Sequence, residues 1–544
     1  MSPRLPASES ALPVVQMHPY RWGDPARASE LPASAQAMLD GLGITPPAQG
    51  PVDPADVTLP EVALPAPVRA ALEALLGAQH VRTDQEARVG HTRGCSTPDI
   101  LRLRAGDAAD APDAVVYPAT HDEVVAVLRL CSEHRVAVVP YAGGTSVTGG
   151  LAPVRAGFAS VVTLDVRRLD AMTAIDEVSR TATLQAGVRA TAAEALLAER
   201  GYTLGHFPQS YEGASIGGYA ATRSSGQSSA GFGRFDEMVV GLTLATPTGT
   251  IELGVAPMSA SGPDLRQLVV GSEGTLGIIT SVTVRVRRAP EVRVFEGWRF
   301  PDFAAGAAAL RRLAQDGPRP TVLRLSDEVE TAVNVADPTE VGAASPAGGC
   351  LAICGYEGAA ADVEARRAGA TAVLLDAGGE PLGEEPGEAW REGRYRGPYL
   401  RDPLLDAGGF VETLETVTFW SNVPALKRAV TEALMTTLGV DGRPVVVMCH
   451  VSHVYETGAS LYFTVLSVAG DDPLGTWLPA KAAACDAIRA SGAAITHHHA
   501  VGTDHRPWFE AEVGPLAVAS LRAVKRTLDP AGILNPGVLI SAEG

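Results

Sequence analysis

A glycine-rich run that directly follows a β-branched strand limits the folds open to this chain. The strand is predicted at 136–140, and the run at 140–150 contains four glycines and three Ser or Thr hydroxyls. Glycines let backbone amides approach a diphosphate closely and adopt positive φ, so that the amides solvate its charge. The run does not fit G-x-G-x-x-G, and residues 158–165 alternate like a strand, which disfavours an ordinary Rossmann site. We predict a phosphate cradle in a different dinucleotide-binding fold.

The residues before this run predict a βαβ unit. A strand is expected at 114–118, and Thr120 with Glu123 forms a capping box that opens a helix. The helix leads to the strand at 136–140. The phosphate cradle therefore follows the carboxyl end of a strand, where α/β sheets usually bind ligands.

Composition excludes some classes of function. Hydrophobic residues make up 46% of the 544 residues and the net charge is −18, which would repel nucleic acid. No apolar stretch approaches the roughly 18 residues that span a bilayer, so no transmembrane segment is expected, although transient membrane contact stays open. A phosphate-bearing ligand must then meet a local cluster of donors.

Cysteine usage and the amino terminus predict a cytoplasmic location. The six cysteines are too few and too scattered for a disulfide framework. The first residues lack the charged and then apolar pattern of a signal peptide.

Two further glycine-rich regions follow. One runs from 206 to 233, and a hairpin predicted at 236–249 argues against its being a disordered linker. The other, at 270–280, is a glycine turn that enters a buried strand. A Pro- and Gly-rich stretch at 376–387 is predicted to be an exposed loop.

A histidine triplet, His497 to His499, is a candidate for acid–base chemistry. On a strand, His497 and His499 would share one side and His498 would face the other. A structural role is an alternative. A zinc site is possible in principle, but no Cys or carboxylate stands at ligand spacing, so we expect no metal.

Two arginines, Arg223 and Arg324, lie in segments where a guanidinium is expected to have an anionic or hydrogen-bonding partner. Arg324 alternates with apolar neighbours on a predicted strand, where either a substrate phosphate or carboxylate or an internal salt bridge would satisfy it. Arg223 lies in the second glycine-rich region and is expected to support its loops. For Tyr455 and Tyr462 two alternatives stay open, a phenol packed in a sheet core and an acid–base group.

The three glycine-rich segments together resemble the FAD-binding domain of the vanillyl-alcohol oxidase and p-cresol methylhydroxylase flavoproteins. The likeness spans about 85–290. It implies that the first run holds the FAD diphosphate and that the later segments line the flavin. Ala142 and its neighbours stand where some members carry a flavin-linked histidine, so non-covalent FAD is expected. The cofactor-binding residues implied are Pro140, Tyr141, Ala142, Gly143, Gly144, Thr145, Ser146, Gly149, Gly150, Pro208, Ser210, Ser215, Gly217, Gly218, Ala221, Thr222, Arg223, Ser225, Gly226, Glu273, Gly274, Gly277, Ile278 and Ile279.

The carboxyl half resembles the alkyldihydroxyacetonephosphate synthase family. The segments that carry this likeness are 91–94, 390–395, 412–416, 449–463, 496–502 and 506–508. The sister group of FAD-dependent 2-hydroxyacid dehydrogenases instead has His-x-Gly-Asp-Gly-Asn-x-His and Glu-His-Gly-Ile-Gly. At these places the chain lacks the second histidine and the carboxylate that serve as metal ligands there.

These resemblances imply an α+β fold. The expected parts are an amino-terminal arm with helices at 1–84, a two-subdomain FAD-binding domain of the p-cresol methylhydroxylase type at 85–290, a cap at 291–502 with a large antiparallel sheet flanked by helices, and a tail at 503–544 that returns to the FAD domain. Tyr20 to Gly23 is expected to anchor the arm. A homodimer is implied by the resemblance.

The function implied is the exchange of the acyl group of acyl-dihydroxyacetone phosphate for a fatty alcohol, a step of ether lipid synthesis. In that family the flavin N5 atom traps the dihydroxyacetone phosphate carbon. Tyr462 and the triplet would move protons, and an arginine such as Arg324 would hold the phosphate. The alternatives are an FAD-dependent oxidase or dehydrogenase of a 2-hydroxy acid or alcohol, and a flavin-holding protein without turnover.

Overall fold

The glycine run emerges from the edge of a four-stranded sheet. The computed structural model describes residues 15–47, 50–333, 341–342 and 348–541. The strands of this sheet are β1 (Val81–Arg82), β2 (Ala114–Val116), β3 (Val136–Tyr141) and β4 (Ser160–Asp165). Their order is β1-β2-β4-β3, and β2, β4 and β3 are parallel.

Helices cover this sheet and connect it to the rest of the amino-terminal half. They are α1 (Ala33–Gly41), α2 (Ala66–Leu76), α3 (Gln85–Gly90), α4 (Thr97–Arg104), α5 (His121–Glu133), α6 (Ala190–Ala198), α7 (Ile216–Thr222), α8 (Ser229–Phe232), α9 (Phe235–Met238) and α10 (Arg266–Val269). The predicted βαβ unit is confirmed, with α5 between β2 and β3. Thr120 caps α5, because its hydroxyl accepts a 3.1 Å hydrogen bond from the Glu123 amide.

A second, antiparallel sheet carries the later glycine-rich segments. Its strands are β5 (Met172–Asp176), β6 (Thr181–Gln185), β8 (Val239–Thr246), β9 (Gly249–Leu253) and β10 (Ile278–Arg285), in the order β5-β6-β10-β8-β9. The short strands β7 (Tyr202–Thr203) and β11 (Arg287–Arg288) pair with each other. The hairpin predicted at 236–249 is confirmed by β8 and β9.

The cap is built on a seven-stranded antiparallel sheet. Its strands are β12 (Val292–Phe300), β13 (Val322–Ser326), β14 (Cys350–Gly358), β15 (Glu380–Gly383), β16 (Gly409–Phe419), β17 (Val445–Val454) and β18 (Gly458–Val468). Their order is β15-β12-β14-β13-β17-β18-β16. The three strands β17, β18 and β16 carry most of the chemically active side chains described below.

The remaining helices belong to the cap and the tail. They are α11 (Phe303–Asp316), α12 (Glu328–Val333), α13 (Ala360–Asp376), α14 (Glu385–Gly393), α15 (Gly397–Asp406), α16 (Val423–Leu438), α17 (Pro473–Ala490), α18 (Arg506–Val513) and α19 (Pro515–Leu528). Helices α11, α13, α16 and α17 share one apolar core with the sheet. Trp298, Phe463 and Trp477 are buried there, and each such side chain contributes roughly 1.5–3 kcal/mol. The predicted α+β fold with a helix-flanked cap sheet is confirmed.

Both ends of the described chain are tied to the body. In the tail, the Val138 amide donates to the Ile533 carbonyl and the Asn535 amide donates to the Val138 carbonyl, each at 2.8 Å. The tail therefore pairs with β3, beside the glycine run. In the arm, Trp22 is buried and its amide donates to Asp402 at 2.8 Å, which anchors the arm on α15.

One expectation about the fold is wrong in part. The stretch at 376–387 is largely exposed, as expected, but it is not a loop, because it contains β15 and the start of α14. Strand β15 is an edge strand, where a proline such as Pro381 costs no ladder hydrogen bond. Across the described ranges, no helix combines the length and apolar character needed to cross a bilayer.

Candidate active site

A cavity of about 400 Å³ lies between the FAD-type domain and the cap. Its wall on one side is the glycine run that follows β3, and its wall on the other is formed by β17, β18 and the histidine triplet. The structure brings together most of the residues predicted from the two halves of the sequence.

The predicted cofactor-binding residues that line the cavity come from three glycine-rich segments. They are Pro140, Tyr141, Ala142, Gly143, Gly144, Thr145, Ser146, Gly150, Pro208, Ser210, Ser215, Gly217, Gly218, Ala221, Thr222, Ser225, Glu273, Gly274, Gly277, Ile278 and Ile279.

Three predicted cofactor-binding residues do not line this cavity. A side chain at Gly149 would collide with the Thr503 hydroxyl, and one at Gly226 would collide with the Phe207 amide, so both glycines serve close packing. Arg223 forms a 2.9 Å ion pair with Asp236 and donates to the carbonyls of Gln267 in α10 and of Val270, which follows α10. Its contacts hold the surrounding loops in place.

The glycine run has the donor set that a diphosphate requires. Within the described part of the chain, the amides of Gly143, Gly144, Thr145 and Ser146 donate to no protein acceptor. Gly144 has φ +73°, and a Cβ there would lie 2.3 Å from the Tyr141 hydroxyl. Unpaired amides in a tight glycine loop form an anion-binding concavity. The residues present therefore fit an FAD diphosphate.

The histidine triplet lies on a bend and not on a strand, so its predicted geometry is wrong. The Glu415 carboxylate accepts hydrogen bonds from the amides of His497 at 2.8 Å, His498 at 3.1 Å and His499 at 3.0 Å. The Thr496 hydroxyl donates to the same carboxylate. Because successive amides converge on one anion, the chain curls and His497 and His499 do not share one side.

This bend divides the triplet. His498 and His499 line the cavity, whereas His497 lies behind them with its Nε2 bonded to the Tyr455 hydroxyl. The Nδ1 atoms of His497 and His498 are 2.9 Å apart, and His498 Nδ1 is 3.5 Å from Glu415.

Tyr462 occupies the centre of β18 and lines the cavity. Its neighbours in register are Glu415 on β16 and His450 on β17. Its ring stacks on His450 at 4.9 Å and meets His499 edge-on at 5.4 Å. Burial raises the pKa of the Tyr462 hydroxyl, which keeps the phenol protonated at neutral pH.

Arg324 lines the cavity but is committed to an ion pair. Its guanidinium bonds to the Glu330 carboxylate and to His450 at 3.0 Å. Burial works against ionisation of Glu330, but His450 and Arg324 outweigh it and hold the pKa of Glu330 at about 2. The internal salt bridge is therefore the alternative that the geometry favours for Arg324.

Arg401 on α15 is a cavity residue that the sequence did not reveal. Its Nη1 donates to the Cys95 carbonyl. Nε and Nη2 are buried with no hydrogen-bond partner among the described residues, although Nε lies 3.9 Å from the Asp402 carboxylate. Glu412 lines the cavity nearby, and its carboxylate accepts from the Thr97 amide at 2.6 Å. A buried guanidinium with free donors suits an incoming anion.

His450 and His453 on β17 were also missed as site residues. The signal was present, since both lie in a segment that resembles the family, but only Tyr462 was assigned there. His453 Nδ1 is 2.7 Å from the Ser229 hydroxyl and 3.1 Å from the Ser225 hydroxyl. It thereby joins the cap to the glycine-rich region of the other domain.

The charge state of the cluster follows from burial. Burial lowers the pKa of His498, and it lowers that of His499 to about 3, with His498 as a second cause. These imidazoles are neutral at pH 7. Burial disfavours ionised Glu415, but His498, His499 and the Thr496 hydroxyl hold its pKa at about 2. Burial also raises the pKa of Glu273 to about 7, although the Val501 and Gly502 amides donate to its carboxylate.

Two family models match the chain. The FAD binding domain matches residues 112–254, and the C-terminal domain of FAD linked oxidases matches residues 289–539. Among solved structures, p-cresol methylhydroxylase shares the fold with a TM-score of 0.67 and 18% identity, covering 87% of this chain and 96% of that one. FAD is therefore the cofactor that this site takes.

Synthase relatives are more similar. Alkyldihydroxyacetonephosphate synthase of Dictyostelium discoideum is 33% identical over 488 residues, which cover 86% of this chain and 80% of that protein. A solved alkyldihydroxyacetonephosphate synthase structure matches with a TM-score of 0.80 and 28% identity, and the match covers 96% of this chain and 99% of the other. The chain belongs to the alkyldihydroxyacetonephosphate synthase family.

Proposed function

We propose that this protein is an FAD-dependent enzyme that exchanges the acyl group of acyl-dihydroxyacetone phosphate for a long-chain alcohol. The products are an alkyl ether of dihydroxyacetone phosphate and a fatty acid, with no net redox change. One observation carries the proposal: Tyr462 and His498 line the same cavity as the glycine run. Family membership supports it.

The amides of the glycine run bind the FAD diphosphate, and the segments 215–218 and 273–277 line the rest of the cofactor. When bound, FAD supplies the nucleophilic catalysis of the exchange. The run at 140–150 contains no histidine or cysteine, which supports non-covalent binding. Arg223 supports the FAD site indirectly, through its ion pair with Asp236.

Protons are moved by Tyr462 together with His498 and His499. The incoming alcohol must lose its hydroxyl proton when its oxygen becomes the ether oxygen. Neutral, buried imidazoles have a free lone pair to accept that proton, and the protonated Tyr462 phenol is a donor. His497 does not line the cavity, and its role is to orient His498 through their 2.9 Å Nδ1 contact.

Arg401 holds the substrate phosphate. Its two buried, unbonded nitrogens are donors that a phosphate can satisfy, whereas the guanidinium of Arg324 is already bonded to Glu330 and His450. Arg324 positions His450 under the Tyr462 ring.

Transfer of label tests this reaction. Purified protein, which should be yellow, is mixed anaerobically with acyl-dihydroxyacetone phosphate and labelled hexadecanol, without an electron acceptor. We expect label in an alkyl ketone phosphate and an unchanged flavin spectrum. Bleaching of the flavin without label transfer would establish dehydrogenation instead, and neither change would indicate a flavin-holding protein without turnover.

The proposal extends to the location and assembly of the protein. We place the protein in the cytoplasm as a homodimer, on the cysteine usage and on the family resemblance. Its long-chain substrates partition into membranes, so transient membrane contact accompanies catalysis. Val513 and Leu516, on either side of the α18–α19 turn, are 36% and 81% exposed and offer apolar side chains for that contact.

A further inference from the structure

We propose that His453, His497 and His498 form a binding site for one divalent transition-metal ion, of which Zn²⁺ is the type case. Among the described residues, these three offer imidazole nitrogens that all lie within 4.8 Å of one another. This inference goes beyond the exchange reaction, because metal binding can be measured whether or not the protein catalyses it.

The fold brings His453, which is distant in the sequence, next to His497 and His498 as a third ligand. His497 and His498 sit on the bend that Glu415 holds, and His453 comes from the end of β17, next to an irregularity in its pairing with β18. The rings of His453 and His497 stack at 4.8 Å, and His498 meets His453 edge-on at 5.0 Å. Two nitrogens on one tetrahedral Zn²⁺ are about 3.4 Å apart, so side-chain shifts of roughly 1 Å close the site.

The outer nitrogens of two of these rings are already held by hydroxyls. His453 Nδ1 contacts Ser229 at 2.7 Å, which leaves Nε2 for a metal, and His497 Nε2 contacts the Tyr455 hydroxyl, which leaves Nδ1. Metal-binding histidines almost always bond their second nitrogen in this way, because the bond fixes the tautomer and the ring orientation.

Two opposite charges lie near the cluster. The Arg234 guanidinium contributes, behind burial, to the lowered pKa of all three imidazoles and disfavours a cation, and the Glu415 carboxylate offsets it. The Glu415 carboxylate lies 3.5 Å from His498 Nδ1 and supplies a buried negative charge. His453 and His498 line the cavity, so a fourth position is reachable from it. Three protein ligands and one open position are typical of reactive zinc sites.

A bound ion and proton transfer compete for His498. The metal takes the lone pair that accepts a proton, so the zinc-loaded protein should be slower in exchange. This consequence, unlike the site itself, rests on the proposed function.

Zinc binding to the FAD-loaded full-length protein tests the site. Protein treated with a chelator and then desalted is titrated with ZnCl₂ by calorimetry, and retained zinc per FAD is measured by mass spectrometry after gel filtration. We expect about one zinc per FAD in the wild type and none in His453→Ala. His499→Ala is the matched control, since it removes a neighbouring buried imidazole outside the cluster and should keep its zinc.

A more conservative substitution tests the site if His453→Ala loses FAD or unfolds. Tyr455→Phe keeps the ring and removes the hydroxyl that contacts His497 Nε2, together with its bonds to Arg234 and Ser225. It should weaken zinc binding about 10- to 100-fold at unchanged FAD content. Wild-type protein that retains no zinc overturns the site, as does equal retention by the wild type and His453→Ala, or an equal calorimetric zinc affinity in the wild type and Tyr455→Phe. The exchange assay on zinc-free protein tests the proposed function separately.

Discussion

Glu415 and Tyr462 stand opposite each other on the neighbouring strands β16 and β18. The carboxylate of Glu415 accepts hydrogen bonds from the amides of the histidine triplet. This one register pair therefore fixes the positions of both the phenol and the imidazoles of the cavity. The geometry of the site therefore depends on a residue that does not itself line the cavity.

Glu415→Gln should impair catalysis more than cofactor binding. The amide nitrogen of glutamine would face backbone donors, and leaving them unsatisfied costs about 1–3 kcal/mol. We expect label transfer to fall roughly 100-fold, as when a positioned acid–base group is lost. Urea unfolding and the flavin absorbance are measured in parallel with the exchange assay. Glu456→Gln changes a side chain that is 74% exposed and should behave as wild type; unaltered exchange in Glu415→Gln would contradict the positioning role.

Tyr462→Phe separates acid–base chemistry from packing. The phenylalanine ring can still stack on His450, so stability should change by less than about 1 kcal/mol. Loss of the hydroxyl should lower the exchange rate by about 10² to 10⁴ while FAD remains bound, and His498→Ala should act in the same direction. Single-turnover label transfer is the measurement. Full activity of either variant would remove that residue from the proton transfer.

The two arginines should fail in different ways. Arg401→Leu should raise KM for acyl-dihydroxyacetone phosphate with the smaller loss of melting temperature, because its 3.9 Å ion pair with Asp402 is long and Asp402 keeps Arg104 and the Trp22 amide as partners. Arg324→Leu removes one of the two cationic partners of the buried Glu330 carboxylate and leaves it with His450 and Ser326, which should cost up to about 3–5 kcal/mol. Steady-state kinetics and thermal melts of both variants show which arginine binds the phosphate and which one stabilises the fold. The assignment is reversed if Arg324→Leu is stable and shows the higher KM.

Local sequence patterns predict the fold around the glycine run well. The capping box at Thr120 and the glycine run depend on contacts within a few residues, so their spacing predicts the βαβ unit and the cradle. The bend of the triplet is not predictable from its neighbours in the sequence, because the residue that causes it, Glu415, lies on a distant strand. Arg401 was missed for a similar reason, since its free donors become visible only once α15 packs beside the cavity.

Low pH should reduce the free energy of unfolding, because the Glu330 carboxylate becomes protonated. Its pKa falls from 4.5 in the unfolded chain to about 2 in the folded protein, so its contribution is complete above pH 4.5 and is lost as the pH drops toward 2. The contribution is of the order of 3 kcal/mol. Urea unfolding at pH 5 and pH 3 should show a smaller loss for Glu330→Gln than for the wild type. An identical pH dependence in the two proteins would mean that the Glu330 carboxylate is not depressed.

Gly144→Ala tests the cradle itself. Gly144 has φ +73° and a Cβ there would lie 2.3 Å from the Tyr141 hydroxyl, so the loop must move and its amides must lose their arrangement. Gly157→Ala is the matched control, because Gly157 has φ +88° but open space around a Cβ. Both variants carry the strain of about 1 kcal/mol that positive φ imposes on alanine. Only Gly144→Ala should emerge colourless from gel filtration, and a yellow Gly144→Ala protein with wild-type FAD affinity would show that the diphosphate is held elsewhere.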